Sequence, residues 1–428
     1  MTSLLLFVAF AILLVLSVPI AISLSVAAAI PMQFEMGVKL IVIAQKFFTA
    51  IDSYSLMAIP LFIVAGGLME KGGVSKRLVS FATSLVGWVP GGLAVVAFVA
   101  SAFFGAISGS STATVAAIGS IVVPAMLDDG YPLNFSLATV ACAGWLGVII
   151  PPSIPMVLYG VSTGTSIGEL FLGGVIPGIL LCCCMGAYSI FWGIKHKDTL
   201  VKHPFSWRNV GTSLKDSIWA LLMPIVVLGG IYAGVFTPTE SAAISILYGA
   251  VIGFFGYKEL TVKDSVQILK NSVLTTGMIM FVVAGAALFG YVMTYENIPV
   301  TVANFITGIA SSRLIFSLLV MVLLLIVGTF MDTPPAILIL SPILYPILAT
   351  YGIDPVAFGV MMVINLGIGL TTPPVGMNLY VAAGIRKAGI SDVVNKHLLA
   401  YIGCALFGLT IIVIFPQLVT FLPNLALK

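Results

Sequence analysis

Two apolar stretches of this chain are interrupted by the same kinds of residue, in the same order. The first runs from Gly105 to about Gly160 and holds Ser108-Gly-Ser-Ser111 and then Pro151-Pro152. The second runs from Gly328 to about Gly384 and holds Asp332-Thr-Pro-Pro335 and then Pro373-Pro374. At a single offset of 223 (328 − 105), Gly105 falls on Gly328, Pro132 on Pro355, Gly144 on Gly367 and Pro151 on Pro374. A plain spanning helix has no use for such residues at mid-run. Backbone freed from its own ladder is tolerated in lipid only inside protein or around a wet cavity. Paired interruptions in two halves of a chain point to the binding site of a secondary transporter.

The solvent for this chain is lipid. It is 60% hydrophobic and 8% charged, with apolar runs of spanning length from end to end. A net charge of +3 gives no reason to expect a nucleic-acid partner. Cys142, Cys182, Cys183, Cys184 and Cys404 all lie in apolar runs and match neither a disulfide framework nor a zinc spacing. The N-terminal stretch has no basic residue before its apolar run, which is too long for a cleaved signal core.

The few charges orient the chain. Basic clusters at Lys71/Lys76/Arg77, Lys195–Lys215, Lys258–Lys270 and Arg386–Lys396 are expected in the cytoplasm, and Glu169, Glu240 and Glu296 outside. The fold class that follows is an all-α polytopic membrane protein with two inverted-topology repeats, re-entrant helical hairpins and broken helices. Leu4 to Ile30 is expected to cross outward as one span, with the N-terminus cytoplasmic and the C-terminus periplasmic. Met36 to Ile51 is expected to lie at the outer interface. The first repeat (1–195) has a hairpin at about 91–127 and a broken helix at about 132–163. A loop and connecting helix (196–240) precede the second repeat (241–428), with a hairpin at about 314–349 and a broken helix at about 355–385. Val262 to Asn271 is expected as an interfacial helix separate from a span at Val273 to Tyr295, and Leu398 to Leu422 as one crossing. Hydropathy alone also allows each hairpin to be two full crossings.

Half-helix amide ends attract anions, and carbonyl ends with hydroxyls suit a hard cation such as Na⁺. One Na⁺ site is expected from Ser108, Ser110 and Ser111 at the first tip with backbone near Gly144, Gly147 and Ile150 at the first break. A second is expected from Gly328, Asp332 and Thr333 with Gly369, Thr371, Thr372 and Met377. An anionic substrate would lie between them, near Pro152, Ser153, Pro374 and Asn378. Asp332 is the one carboxylate placed well inside the bilayer region, where a charge is functional by default or else a solvated tip residue. Proton coupling would call for several embedded acids or histidines, and His196, His203 and His397 all fall in loops.

Gly234-Val-Phe-Thr-Pro-Thr-Glu-Ser241, the Ser108–Ser111 tip and Thr371-Thr-Pro-Pro-Val-Gly-Met-Asn-Leu-Tyr380 resemble the large membrane subunit of the TRAP (tripartite ATP-independent periplasmic) transporters, over nearly the whole chain. The resemblance implies a Na⁺-driven importer in the bacterial inner membrane, with an elevator motion in which hairpins and broken helices move against a static scaffold. It implies two partners, a small four-helix membrane subunit and a periplasmic substrate-binding protein. It implies an organic-acid cargo of the C4-dicarboxylate or sialic-acid type, with sialic acid favoured by overall likeness. An ATP-driven pump is excluded by the lack of a phosphate-binding Gly-x-x-x-x-Gly-Lys loop. An intramembrane serine protease is excluded by the lack of a histidine in any expected span. A standalone Na⁺-coupled anion transporter is the alternative, and an ion channel a further one.

Overall fold

The structure is a computed structural model that describes residues 2–201 and 203–426, and among these every regular element is helical. The first half contains α1 (Thr2–Val15), α2 (Ile20–Phe34), α3 (Leu40–Thr49), α4 (Ala58–Lys71), α5 (Val74–Val86), α6 (Gly92–Ser108), α7 (Ser111–Asp128), α8 (Leu133–Gly144), α9 (Ile154–Thr163) and α10 (Ile167–Lys195). Then follow α11 (Trp207–Tyr232), α12 (Pro238–Val251), α13 (Val262–Tyr295), α14 (Ile298–Ile309), α15 (Arg313–Phe330) and α16 (Thr333–Leu344). The chain ends with α17 (Pro355–Gly369), α18 (Met377–Ile385), α19 (Ile390–Val393), α20 (Lys396–Ile414) and α21 (Gln417–Ala426).

The long helix α10 measures the inversion. Its 29 residues span roughly 43 Å at 1.5 Å per residue. At its C-terminal end, Gly91 at the base of the α6–α7 hairpin lies against Ser189 and Gly193, and Phe135 of α8 stacks on Trp192 at 3.8 Å. At its N-terminal end, the start of α17 packs Val356 and Val360 against Gly173, and Tyr159 of α9 donates to the Pro355 carbonyl at 2.9 Å. The α8–α9 pair therefore runs toward the end from which α17 starts. The α17–α18 pair returns, and just beyond it Asn395 donates to the Asn134 carbonyl at the start of α8 (2.9 Å). The two broken helices are antiparallel, and the two hairpins enter from opposite ends.

Local chemistry explains the boundaries. Ser110, Ser153 and Asp332 cap the helices that resume after the first tip, the first break and the second tip; Asp354 caps α17 at the start of the second broken helix, and α18 resumes after Gly376 without a side-chain cap. The Gly234–Ser241 stretch is a turn and a cap. Gly234 takes φ +67°, and Thr237 and Glu240 form a capping box with Pro238 at the first helical position. The caps also correct the repeat register. Ser110 and Asp332 lie 222 apart (332 − 110), as do Gly147 and Gly369 (369 − 147), which sit at equivalent places in the two breaks. The resumed helices α9 and α18 start 223 apart (377 − 154), so the register shifts by one residue between each tip and the end of its break.

Four expectations are corrected. Leu4 to Ile30 is not one span. After α1 the chain reverses through Ser17 (φ +58°), and α1 and α2 pack as a hairpin. Ser3 Oγ donates to Glu296 Oε2 at 2.8 Å, so the N-terminus lies at the same end as Glu296 and not opposite to it. Phe7 and Phe10 pack on Phe289, while Ala21 and Ser25 abut Gly285, so the α1–α2 turn stops far short of the start of α13. Second, residues 262–295 form a single 34-residue helix, because nothing between Asn271 and Val273 breaks the ladder. Third, two amphipathic helices were missed, α5 bent 69° from α4 and α14 following α13. Their short apolar faces gave no spanning signal. Fourth, 398–422 runs the length of α10, as one crossing requires, with Tyr401 at Ser189, Gly408 at Leu181 and Val419 at Gly173, but it does so as two helices, α20 and α21, divided at Pro416.

Candidate functional site

Both hairpin tips open on one cavity of about 930 Å³. Ser108 to Ala113 of the first tip and Asp332 to Pro335 of the second line it, with Val148, Ile154, Pro155 and Met377 from the breaks. The opposite wall is built by α2, α4 and α13, through Pro19–Ile22, Ile63, Gly66 and Gly67, and Ile268–Val282. Glu70, Lys71 and Asn271 carry the cavity to the end where the basic loop after α4 sits. The wall approaches the tip closely, since a Cβ on Gly66 would stand 3.2 Å from the Ser108 Cα.

The first tip is closed on itself. The chain turns through Gly109 (φ +60°), beneath the Pro152 carbonyl. Ser108 Oγ lies 3.1 Å from Thr114 Oγ1, which donates to the Ser110 carbonyl at 2.7 Å. The glycines of the first break meet the same groups. A Cβ on Gly147 would collide with Thr114 Oγ1 and stand 2.9 Å from the Ser110 carbonyl; one on Gly144 would stand 3.1 Å from the Ser111 carbonyl. Ser108, Ser110, Ser111, Gly144 and Gly147 are thus gathered in one place, and Thr114 joins them. Thr114 was missed because it lies one turn beyond the tip, inside a regular helix. The Ile150 side chain packs on Gly178 of α10, so Ile150 could serve the site through its backbone alone.

The second tip is built on the same plan with different side chains. Asp332 Oδ1 accepts from the Thr333 N–H at 2.7 Å as the cap of α16. A Cβ on Gly328 would stand 3.1 Å from Gly369 Cα and from the Leu366 carbonyl. Gly376 donates to the Thr329 carbonyl at 3.1 Å, tying the second break to the second tip. Gly376 takes φ +50°, and a Cβ there would stand 3.0 Å from the carbonyls of Leu370 and Thr372. Thr371 and Thr372 donate to the Ile368 carbonyl at 2.8 and 2.9 Å. Asp332, Thr333 and Met377 face the cavity; Gly328, Gly369, Thr371 and Thr372 stand behind them. The Pro151–Pro152 and Pro373–Pro374 bonds are both cis.

The four residues expected around the substrate are placed otherwise. Ser153 is fully buried, donates to the Val148 carbonyl at 2.5 Å and caps α9. Asn378 is fully buried, bonded to Ser111 and to the Ala141 carbonyl. Pro152 covers Gly109, and Pro374 is exposed outside this cavity. The residues at the cavity surface are instead Ser110, Thr112, Val148, Ile154, Pro155 and Asp332. The donor set here is hydroxyl and main-chain carbonyl. Among the described residues no three His, Cys, Asp or Glu side chains cluster as a metal site.

Residues 7–418 match the family model described as "Tripartite ATP-independent periplasmic transporter, DctM component". The chain is 44% identical over 415 residues to the isethionate TRAP transporter permease protein DctMQ of Oleidesulfovibrio alaskensis, covering 96% of this chain and 65% of that protein. It therefore spans less than two thirds of that relative's length. It is 38% identical to the C4-dicarboxylate TRAP transporter large permease protein DctM of Rhodobacter capsulatus, covering 99% of each. It is also 38% identical to the sialic acid TRAP transporter large permease protein SiaM of Vibrio cholerae, covering 90% of each. The crystal structure of the Alcanivorax borkumensis YdaH transporter, reported with an unusual topology, is similar in fold, with TM-score 0.63 at 17% identity over 90% of this chain and 88% of that one.

Proposed function

The chain belongs to the DctM component family of the tripartite ATP-independent periplasmic transporters, and from that premise we propose that it is the large permease of a Na⁺-coupled system that imports an organic acid by an elevator motion. The reading rests most on one observation: the tips of two oppositely entering hairpins meet in a single cavity. The relatives' names span a sulfonate, dicarboxylates and a sugar acid, and all of these are anions. The cargo is accordingly an organic anion of a size that about 930 Å³ accommodates.

In this reading the basic loops are cytoplasmic. The cavity, reaching Glu70 and Lys71, then faces inward. Na⁺ is held at each tip by carbonyls and hydroxyls, at the first by Ser108, Ser110, Thr114 and the backbone of Gly144 and Gly147. At the second it is held by backbone near Gly328, Gly369 and Gly376 and by the Thr372 hydroxyl, with Asp332 in reach. Bound Na⁺ rigidifies the tips and offsets the charge of the anion between them. The hairpins and broken helices carry cargo and ions past the α2–α4–α13 wall. Beside the tips that wall is glycine and apolar side chains (Ile20, Ile22, Ile63, Gly66, Gly67, Ile279 and Val282), so few polar bonds resist the slide there; Glu70, Lys71, Asn271, Ser272 and Thr275 add polar groups to the rest of the wall. A small membrane subunit steadies the scaffold, and a periplasmic binding protein delivers the acid.

Vesicles containing the chain, its small subunit and the binding protein test this reading. Uptake of a labelled organic acid is expected only with all three present and an inward Na⁺ gradient. Uptake of free acid without the binding protein would favour the standalone transporter instead. Uptake unchanged when choline replaces Na⁺ would remove the Na⁺ coupling.

A further inference from the structure

A second cavity, of about 620 Å³, shares no lining residue with the first. It is lined by Lys76, Arg77 and Ser80 of α5, Lys215, Asp216, Ser217 and Trp219 of α11, and Gly256, Tyr257 and Glu259 after α12. We propose that this pocket binds the phosphate headgroup of an anionic phospholipid of the inner leaflet.

The pocket is built around a fixed guanidinium. Arg77 Nη1 pairs with Glu259 Oε1 at 2.6 Å and donates to the Gly73 carbonyl at 2.9 Å, and the guanidinium lies 3.7 Å above the centre of the Tyr257 ring. Gly73 makes this arrangement possible, because a Cβ there would collide with both Glu259 and Arg77. Ser217 Oγ donates to the Arg77 carbonyl at 2.9 Å and holds α11 against α5. Among the described residues only Nη1 of the guanidinium is bonded, so its other N–H groups remain available as a phosphate fork. Glu259 is spent on Arg77. Lys76 and Lys215 pair with no carboxylate among the described residues, which leaves two lysines against Asp216.

A lipid, and not a free anion, fits the surroundings. Trp219 stands at the rim, half exposed, and Tyr248 donates to its carbonyl at 2.7 Å; indole and phenol rings of this kind settle at the headgroup level. From the rim two exposed apolar stripes lead away along the spans, Trp219–Val226 on α11 and Leu247–Val251–Phe255 at the end of α12. Acyl chains lying on these stripes would bring a headgroup to the lysines. Basic pockets between spanning helices at the cytoplasmic surface select acidic headgroups. The assignment of this end to the cytoplasm rests on the orientation proposed above; the pocket and its charge do not.

Native mass spectrometry on the full-length chain, purified with its small subunit and delipidated, tests the proposal. The probes are phosphatidylglycerol, phosphatidylcholine and inorganic phosphate. Phosphatidylglycerol is expected to bind in preference to phosphatidylcholine. Lys76→Gln with Lys215→Gln is expected to weaken it by about fivefold per lysine. Lys76→Arg with Lys215→Arg is expected to retain binding, which separates charge from folding, and Lys270→Gln on a different basic loop to change nothing. Undiminished phosphatidylglycerol binding in the double Gln variant would overturn the proposal. So would competition by inorganic phosphate at concentrations matching the lipid, or binding seen only once the small subunit is removed.

Discussion

Asn378 of α18 and Ser111 of α7 hold each other across the two repeats: the amide Nδ2 donates to Ser111 Oγ at 2.8 Å, and Ser111 Oγ donates back to Oδ1 at 3.0 Å. The same amide reaches the Ala141 carbonyl at 3.1 Å, so one side chain joins the first hairpin, the first broken helix and the second broken helix. All of these groups are out of water. Asn378→Leu would leave the Ala141 carbonyl and the Ser111 hydroxyl without this partner, and is expected to cost about 1–3 kcal/mol. Thermal unfolding in detergent reads the loss. An unshifted midpoint would mean the bridge carries no stability.

Gly105 of the first hairpin and Gly147 of the first break meet backbone to backbone. A Cβ on Gly105 would lie 2.5 Å from Gly147 Cα, and backbone cannot swing aside as a side chain can. Gly105→Ala is expected to destabilise by about 1–3 kcal/mol. Gly384→Ala, in open space on α18, is expected to be neutral or to gain up to about 1 kcal/mol from helix propensity. Equal behaviour of the two in the same melting experiment would contradict the packing described for the first tip.

The proposed Na⁺ sites predict a change in ion affinity without loss of assembly. Ser108→Ala, Thr114→Ala and Thr372→Ala each remove one hydroxyl. Each is expected to raise the Na⁺ concentration for half-maximal uptake about fivefold to tenfold, the equivalent of about 1–1.5 kcal/mol. Na⁺ titration of uptake at fixed substrate measures this. Unchanged titration curves in all three would move the ions elsewhere.

Asp332 has two duties that one substitution separates. As the cap of α16 it needs only a short acceptor, and Asn caps about as well as Asp. As a charge in the cavity it needs its carboxylate. Asp332→Asn is expected to leave thermal stability near wild type while lowering uptake at least about tenfold, the loss of a charge-assisted contact. Full uptake would reduce Asp332 to a cap.

The sequence alone determined the membrane class, the two hairpins, the two breaks and the family. Each depends on residues whose effect is local: paired prolines with neighbouring Gly, as at Pro151–Pro152 and Pro373–Pro374, interrupt a ladder, and Ser110, Ser153 and Asp332 restart one by capping wherever they stand. Tertiary packing decided what such residues do once placed. Whether residues 4–30 cross the membrane or double back depends on Phe7, Phe10 and Ser3 finding Phe289 and Glu296 on a helix that comes much later in the chain. Whether Ser153 and Asn378 face cargo or seal the interior depends on which carbonyls lie opposite them, and Thr114 enters the tip only because Gly147 leaves it room. Hydropathy is a sum over one segment and carries no direction, and a side chain's direction is set by neighbours that only the folded chain supplies.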